Sequence, residues 1–319
     1  MKIGIILDPL PSIKIKKDST FAMMVDAADR GHAIHIMMQE ALMWKSGRVV
    51  GESVRITLTG DKDLWYRGAS PQETPLADFD AVLMRKDPPF DIEYITSTWL
   101  LEQAVRDGAR VYNDPRAIRD HSEKLATLQF AQFSVPTIVT RLARQIHNFI
   151  DANGDVIVKP LDGMGGESVF RVTDTDPNRY VIVETITRHG TRTVMAQRFI
   201  PEIRDGDKRI LLIGGEPVPY CLARIPRPGE TRGNLAAGGS AVARPLGARD
   251  LEIARALGPE LNRRGLLLVG LDVIGDYLTE INVTSPTCFR EINEQTGFDV
   301  AGMFTNALQA ACVASGRTS

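Results

Sequence analysis

Over roughly the first 115 residues, short apolar runs closed by polar or proline residues alternate with stretches of helical periodicity. Residues 2–7 (KIGIIL) read as a buried strand that stops at Asp8 and Pro9. Residues 18–30 read as a helix stopped by Gly31, residues 32–38 (HAIHIMM) as a second strand and 79–85 as a third. A helix over 93–107 ends at Gly108, and 109–113 reads as a further strand. Strands alternating with helices predict an α/β unit with a parallel, doubly wound sheet. Ligands of such sheets lie beyond the carboxyl ends of the strands. That marks Asp8, Arg85, Lys86, Asp87, Asn113 and Asp114 as candidate site positions.

Beyond Pro115 the pattern changes. A helix is predicted over 116–133, ending before Val135 and Pro136, and β-type segments then dominate: 155–160, 167–172, 180–185, 193–199, 208–213 and 216–225. Their short spacing predicts an α+β region with antiparallel pairing. Residues 226–241 carry four Gly and two Pro and read as a long mobile loop. A helix over 249–264, a β-hairpin over 266–283 and a helix over 298–314 complete the reading. At about 100–200 residues per domain, 319 residues accommodate two or three domains.

Charge and cysteine usage exclude several classes. Lys and Arg total 38 against 40 Asp and Glu, so binding to nucleic acid by bulk charge is not expected. Cys221, Cys288 and Cys312 are too few for a disulfide framework and suit a reducing compartment. No run approaches the ~18 apolar residues of a membrane span, and the N-terminal apolar run is too short for a signal peptide. A cytoplasmic protein without membrane contact is expected.

Three segments carry possible chemistry. In VIVKPLDGMGGESVFRV (156–172), Lys159 precedes a turn containing Gly163, Gly165 and Gly166. Glycines let backbone N–H groups approach an anion, and a lysine beside them suits phosphate. The segment equally reads as a plain Gly-rich hairpin turn. In LLLVGLDVIGDYLTEINVTSPT (266–287), Asp272 lies in one apolar strand and Glu280 and Asn282 in the next. Such oxygen ligands suit Mg²⁺ bridged to phosphates, or they form an internally paired polar cluster. Arg209, Arg224 and Arg232 are candidates for stabilising developing charge, although a lone arginine is usually a solvated surface group. His32 and His35 lack a third ligand and read as structural. Cys288 has no histidine after position 189 to activate it within its own region.

The motifs MRKDPPFD (84–91), KPLDGMGG (159–166), DGDKR (205–209), EPVPYCLARIP (216–226), ETRGNLAAGG (230–239) and LTEINVTSPT (278–287) closely resemble those of the bacterial glutathione synthetases of the ATP-grasp superfamily. The resemblance covers nearly the whole chain; only 40–75 and the tail after 291 carry no matching motif. It implies an ATP-grasp fold in three parts. These are an N-terminal Rossmann-like parallel-sheet domain (1–121), a small central lid (122–200) and a C-terminal antiparallel-sheet domain (201–319) with the loop 226–241. It implies ATP-dependent ligation of γ-glutamylcysteine and glycine, with ATP as co-substrate, Mg²⁺ or in its place Mn²⁺ as cofactor, and a homotetramer. By the same matching, Lys124, Lys159, Asp162, Gly163, Gly165, Gly166 and Gln197 would hold ATP. Asp272, Glu280 and Asn282 would hold the metal. Arg85, Lys86, Asp207, Arg224, Gly239 and Ser285 would hold substrate, with Arg209, Arg224 and Arg232 acting in catalysis.

The chemistry agrees with the residues. A carboxylate is a poor electrophile until phosphorylated, and phosphoryl transfer needs mainly positioning and positive charge. The acyl phosphate must be kept from water, a task for the loop 226–241 ordered by bound ligands. The rivals are another ATP-grasp amide ligase, such as a D-alanine–D-alanine ligase, and a non-catalytic nucleotide-binding regulator of the synapsin kind. A register condition follows as well. With Gly275 and Asp276 as a two-residue turn, Asp272 would oppose Thr279 and Glu280 would face the other way. Joint use of Asp272 and Glu280 needs an odd connection or a bulge, and a three- or five-residue connection centred on Asp276 is expected.

Overall fold

Strand β1 (Lys2–Ile6) is buried along nearly its whole length, as a strand covered on both faces must be. It pairs in parallel with β2 (Ala33–Met37) on one side and with β7 (Ala81–Met84) on the other. The structure, a computed structural model, describes residues 1–316 except Met164, Pro228, Thr231, Arg232 and 234–238. Helix α1 (Ser19–Asp29) starts where the Asp18 carboxylate accepts from the Phe21 N–H. Helix α2 (Ile92–Arg106) starts in the same way at Asp91 and leads to β8 (Val111–Tyr112), parallel to β7.

Residues 40–75 hold what the alternation did not announce. Strands β3 (Leu42–Lys45), β4 (Arg48–Leu58), β5 (Tyr66–Gly68) and β6 (Gln72–Pro75) form an antiparallel wing, with β4 pairing to β2. The first sheet is therefore mixed, with order β3-β4-β2-β1-β7-β8 and β5 and β6 attached to β4.

The helix expected over 116–133 is two pieces: α3 (Pro115–Asp120) and a 3₁₀ segment (Leu125–Phe133) kinked at Phe130. Glu123 and Lys124 lie in the turn between the two pieces. A four-stranded antiparallel sheet follows, β11-β10-β12-β9, from β9 (Thr137–Thr140), β10 (Asp155–Pro160), β11 (Phe170–Thr173) and β12 (Val194–Arg198). Residues 180–185, expected as a strand, lie in helix α5 (Arg179–Ile186). Val183 and Ile186, three apart, are buried there, while Tyr180 and Val181 are exposed. Packing against Ile146 and Ile150 of α4 (Ala143–Asn153) overrides the β preference of the branched side chains. The second strand of the Gly-rich hairpin also starts late, at Phe170 rather than Glu167.

The third sheet is fully antiparallel, β15-β14-β13-β16-β17. Its strands are β13 (Asp207–Ile213), β14 (Glu216–Ile225), β15 (Ser240–Pro245), β16 (Leu268–Ile274) and β17 (Tyr277–Asn282). Helix α6 (Ala248–Arg263) covers one face. Helices α7 (Phe289–Thr296), which the sequence reading omitted, and α8 (Val300–Ala314) lie between this sheet and the first. Two clusters of buried side chains join the first and third sheets, one including Ile6 with Leu271 and the other Ile3 with Leu211 and Phe304. The central sheet keeps a separate core of Ile146, Ile150, Val156, Val158 and their neighbours.

Candidate active site

The third and central sheets face each other across a cleft of about 310 Å³. Its floor is charged and already paired. Arg209 and Asp272 are directly opposite on β13 and β16, and Asp207 and Arg224 on β13 and β14. Arg209 Nε donates to Asp272 Oδ1 at 2.5 Å and its Nη2 to Oδ2 at 3.2 Å. Arg224 Nη2 lies 2.9 Å from Asp272 Oδ2 and 2.5 Å from Asp207 Oδ2. All four residues are buried. Burial alone would raise the Asp272 carboxyl, but the two guanidinium groups overcome it and hold the acid well below its usual range. Asp207 goes the other way: burial, with Asp272 and Glu280 nearby, pushes it up to about 7 against the pull of Arg224.

The hairpin obeys the register condition by a bulge. Ile274 pairs with Tyr277, so the turn is two residues, not the three or five expected. The register then shifts between Val273–Leu278 and Asp272–Glu280, leaving Thr279 as the extra residue. Its hydroxyl donates to the Asp272 carbonyl at 3.1 Å, and its own carbonyl accepts from Lys159 Nζ at 3.5 Å. Asp272 and Glu280 thus oppose each other, with Asn282 opposite Gly270 on the same face.

The opposite wall comes from the central sheet and the residues before it. Lys124 and Lys159 are buried, and Lys124 Nζ donates to the Gly163 carbonyl at 2.7 Å. The two ammonium groups lie 3.5 and 3.8 Å from Glu280 Oε1. Burial lowers the Lys159 pKa. Gly165 and Gly166, with φ of +65° and +78°, take the turn through conformations that favour glycine, and both line the cleft with Gly163. Gln197 lines it as well, its amide donating to Thr137.

The donors fit a hard dication. Among the described residues no three His, Cys, Asp or Glu side chains converge to hold a metal. A cation here would draw on Glu280, on the Asn282 amide oxygen, whose amide nitrogen turns to the Gly270 carbonyl, and on phosphate oxygens. Asp272 has both oxygens engaged by guanidinium groups and contributes chiefly charge. Glu123 adds to the case: burial and the charge of Glu280 push it up to about 7, excess acidity that a dication would relieve.

Other predicted residues lie further out. The Arg85 guanidinium is buried outside the cleft wall, donating to Thr20 Oγ1 and the Pro286 carbonyl. Ser285 lines the cleft, its hydroxyl on the Arg85 carbonyl. Lys86 pairs with Asp8 at 2.7 Å, while Asp87 reaches the cleft. Asp162 is exposed and paired with Arg192. Asn113 is structural, donating to the carbonyls of Leu268 and Val283, and Asp114 caps α3. His32 contacts the N-terminal amine and Gln309, and Cys288 is buried with a raised pKa, both consistent with roles in the fold. Arg232 and half of the loop 226–241 lie outside the described residues. Gly233 lines the cleft, and a Cβ there would sit 2.4 Å from the Arg224 carbonyl and 3.1 Å from Asp207 Cβ. Gly239 is as tightly placed, 2.7 Å from the Ile225 carbonyl on the same test. Sequence reasoning missed Glu123 and Thr279; the register condition on the hairpin was the available signal for Thr279.

Known proteins resemble this chain along its length. The family models described as prokaryotic glutathione synthetase, N-terminal domain, and prokaryotic glutathione synthetase, ATP-grasp domain, match residues 1–119 and 123–297. Glutathione synthetase of Ralstonia nicotianae is 62% identical over 311 residues, 98% of this chain and 96% of that protein. The protein of that name from Nitrosomonas europaea is 60% identical over 312 residues, 97% and 98% of the two chains. Among solved structures, the D-cycloserine synthetase DcsG superposes with a TM-score of 0.67 at 16% identity, covering 97% of this chain and 99% of its own. The ATP-grasp ligase PsnB, complexed with minimal precursor, Mg and ADP, gives 0.62 at 18% identity with 98% of each chain covered. The solved structures bear on the fold alone.

Proposed function

The chain belongs to the prokaryotic glutathione synthetase family, and from that premise we propose that it joins γ-glutamylcysteine to glycine at the expense of ATP, through an acyl phosphate. The observation that best supports this reading is the buried Arg209, Arg224, Asp207 and Asp272 floor facing the two lysines and the glycine turn. Lys124, Lys159 and the turn at Gly163, Gly165 and Gly166 take the ATP phosphates. Gln197 and Asp162 complete the nucleotide side. Arg209 and Arg224 hold the reacting carboxylate and then the developing oxyanion. Arg85, Lys86, Ser285 and Gly239 serve the peptide side, with Arg232 delivered by its loop. Glu280 and Asn282, with the charge of Asp272 beside them, would hold Mg²⁺, or Mn²⁺ in its place, which when bound neutralises phosphate charge for in-line transfer.

We divide the chain at 1–121, 122–200 and 201–319, following the separate core of the central sheet. Assembly as a homotetramer and a cytoplasmic location complete the reading. The three free, buried cysteines suit a reducing compartment, and among the described residues no helix is long and apolar enough to cross a membrane. The test is phosphate release with ATP and Mg²⁺, omitting each substrate in turn. Release that needs γ-glutamylcysteine and gives tripeptide only with glycine supports the reading. Release indifferent to both would leave a nucleotide-binding protein of another kind. Light scattering of the purified protein checks the tetramer.

A further inference from the structure

We propose that Asp207 receives the proton of the attacking amine: its Oδ1 takes the ammonium group of the acceptor amino acid and becomes protonated as the amine turns nucleophilic. The proposal rests on the acyl-phosphate reading above and assigns its second half-reaction.

An α-amine is protonated at neutral pH and has no lone pair to attack with. One proton must leave before the C–N bond forms, and the phosphoryl oxygens of the acyl phosphate are too weakly basic to take it until the C–O bond breaks. In the step proposed here, the ammonium gives a proton to Asp207 Oδ1. The amine nitrogen then bonds to the acyl carbon, the bond between that carbon and the phosphate oxygen breaks, and the phosphate leaves with the electron pair. The second N–H proton goes to the departing phosphate, which is basic enough to hold it. Arg209 and Arg224 face the oxyanion formed between these events.

Geometry singles out Asp207 for this task. Of the cleft carboxylates, it keeps a buried oxygen, Oδ1, with no hydrogen-bond partner among the described residues. Its other oxygen is fixed by Arg224 Nη2, and its carbonyl accepts from Arg224 Nε at 3.4 Å, so the side chain is held in place while Oδ1 stays free. Asp272 has both oxygens engaged by guanidinium groups, and Glu280 lies between two ammonium groups. A buried carboxylate oxygen without a partner is disfavoured and is rarely kept without a ligand to fill it. The backbone at Gly233 passes close beside Asp207 and Arg224, where a Cβ would meet the Arg224 carbonyl at 2.4 Å, so no side chain stands between this stretch of chain and the carboxylate. The surrounding charges agree. Burial raises the Asp207 acid against the pull of Arg224, the direction a proton acceptor needs.

The experiment compares two acceptors in the complete enzyme with Mg²⁺–ATP and γ-glutamylcysteine. Glycine enters as an ammonium, whereas hydroxylamine is uncharged at neutral pH and traps the acyl phosphate as a hydroxamate. Asp207→Asn keeps the size of the side chain and an oxygen for Arg224. It should lower kcat with glycine by roughly 10²–10³-fold more than it lowers hydroxamate formation, whose own loss reads the damage to the Arg224 pairing that both reactions share. The glycine defect should shrink as pH rises towards about 9, where more of the amine is free. Wild-type hydroxamate formation that needs ATP and γ-glutamylcysteine is the control for the underlying reading; its absence would sink that reading, separately from the role of Asp207. Parallel loss of both products in a variant that still binds ATP overturns the proposal, as does retention of glycine ligation. Should the variant fail to fold, the wild-type pH profiles decide. The rate with glycine must rise through a group that titrates below the glycine amine itself, and the rate with hydroxylamine must not; matching profiles overturn the proposal.

Discussion

The floor and the opposite wall of the cleft solve the problem of buried charge in opposite ways. On the floor, two arginines and two aspartates hang from three neighbouring strands and neutralise one another. On the wall, Lys124 and Lys159 are as deeply buried, yet the carboxylate nearest both is Glu280, across the cleft and beyond hydrogen-bond distance. The floor is organised before any ligand arrives, which suits groups that must meet charge developing in a transition state. The wall is short of negative charge, a deficit that three phosphates can supply. The cores follow the same division: the floor shares its packing with the first sheet, whereas the central sheet packs on itself.

The sharpest way to break this contrast is Asp272→Asn. With Asp272 gripped by Arg209 and Arg224, the substitution leaves two buried guanidinium groups short of a counter-charge. Breaking a buried pair from one side costs about 3–5 kcal/mol. Denaturant unfolding should show a loss of that size, together with the collapse of turnover. Stability within ~1 kcal/mol of wild type would mean that the floor is no more internally paired than the wall.

Lys159→Met sharpens the same contrast from the other side. Burial already disfavours the Lys159 ammonium, and its nearest carboxylate is 3.8 Å away. An apolar side chain of similar length should leave stability unchanged or slightly higher. A lost charge-assisted contact to phosphate is worth ~1.5–3 kcal/mol, so the KM for ATP should rise by roughly 10–100-fold. Unfolding curves and initial rates at varied ATP check the two halves separately. A destabilisation like that of Asp272→Asn would show the wall to be as self-paired as the floor.

Legibility in the sequence also divides along this line. The parallel strands, Asp272, Glu280, Asn282 and the glycine turn were visible because each breaks an apolar or regular pattern in a way that chemistry explains. The antiparallel wing over 42–75 was not, since β4 pairs with strands whose partners are fixed only by tertiary packing. Helix α5 was misread because its branched residues favour strands, and burial of Val183 and Ile186 on one helical face decided otherwise. Glu123 was invisible for another reason: it is brought beside Glu280 by the Ile281 N–H on its carbonyl and the Thr284 hydroxyl on its carboxylate, pairings made across more than half the central and C-terminal sequence.

The bulge at Thr279 lies between the two walls, and its hydroxyl supports the smallest prediction. A two-residue turn forces one extra residue into β17 if Glu280 is to oppose Asp272, and the extra residue interrupts the ladder. The Thr279 hydroxyl fills part of that gap on the floor side by donating to the Asp272 carbonyl, while Lys159 takes the Thr279 carbonyl from the wall side. Thr279→Val keeps the branched shape and removes only the donor. Losing one such bond in a buried setting costs about 1 kcal/mol. The register itself is fixed by the turn and by the apolar pairs Val273–Leu278 and Leu271–Ile281, which the substitution does not touch. Stability should therefore fall by about that amount, with kcat and the KM for ATP each within about threefold of wild type, since 1 kcal/mol limits the coupling to roughly fivefold. A KM for ATP raised as far as in Lys159→Met would instead mean that the hydroxyl, and not the backbone, holds the bulge in place for the lysine, and the boundary between floor and wall would have to be redrawn through Thr279.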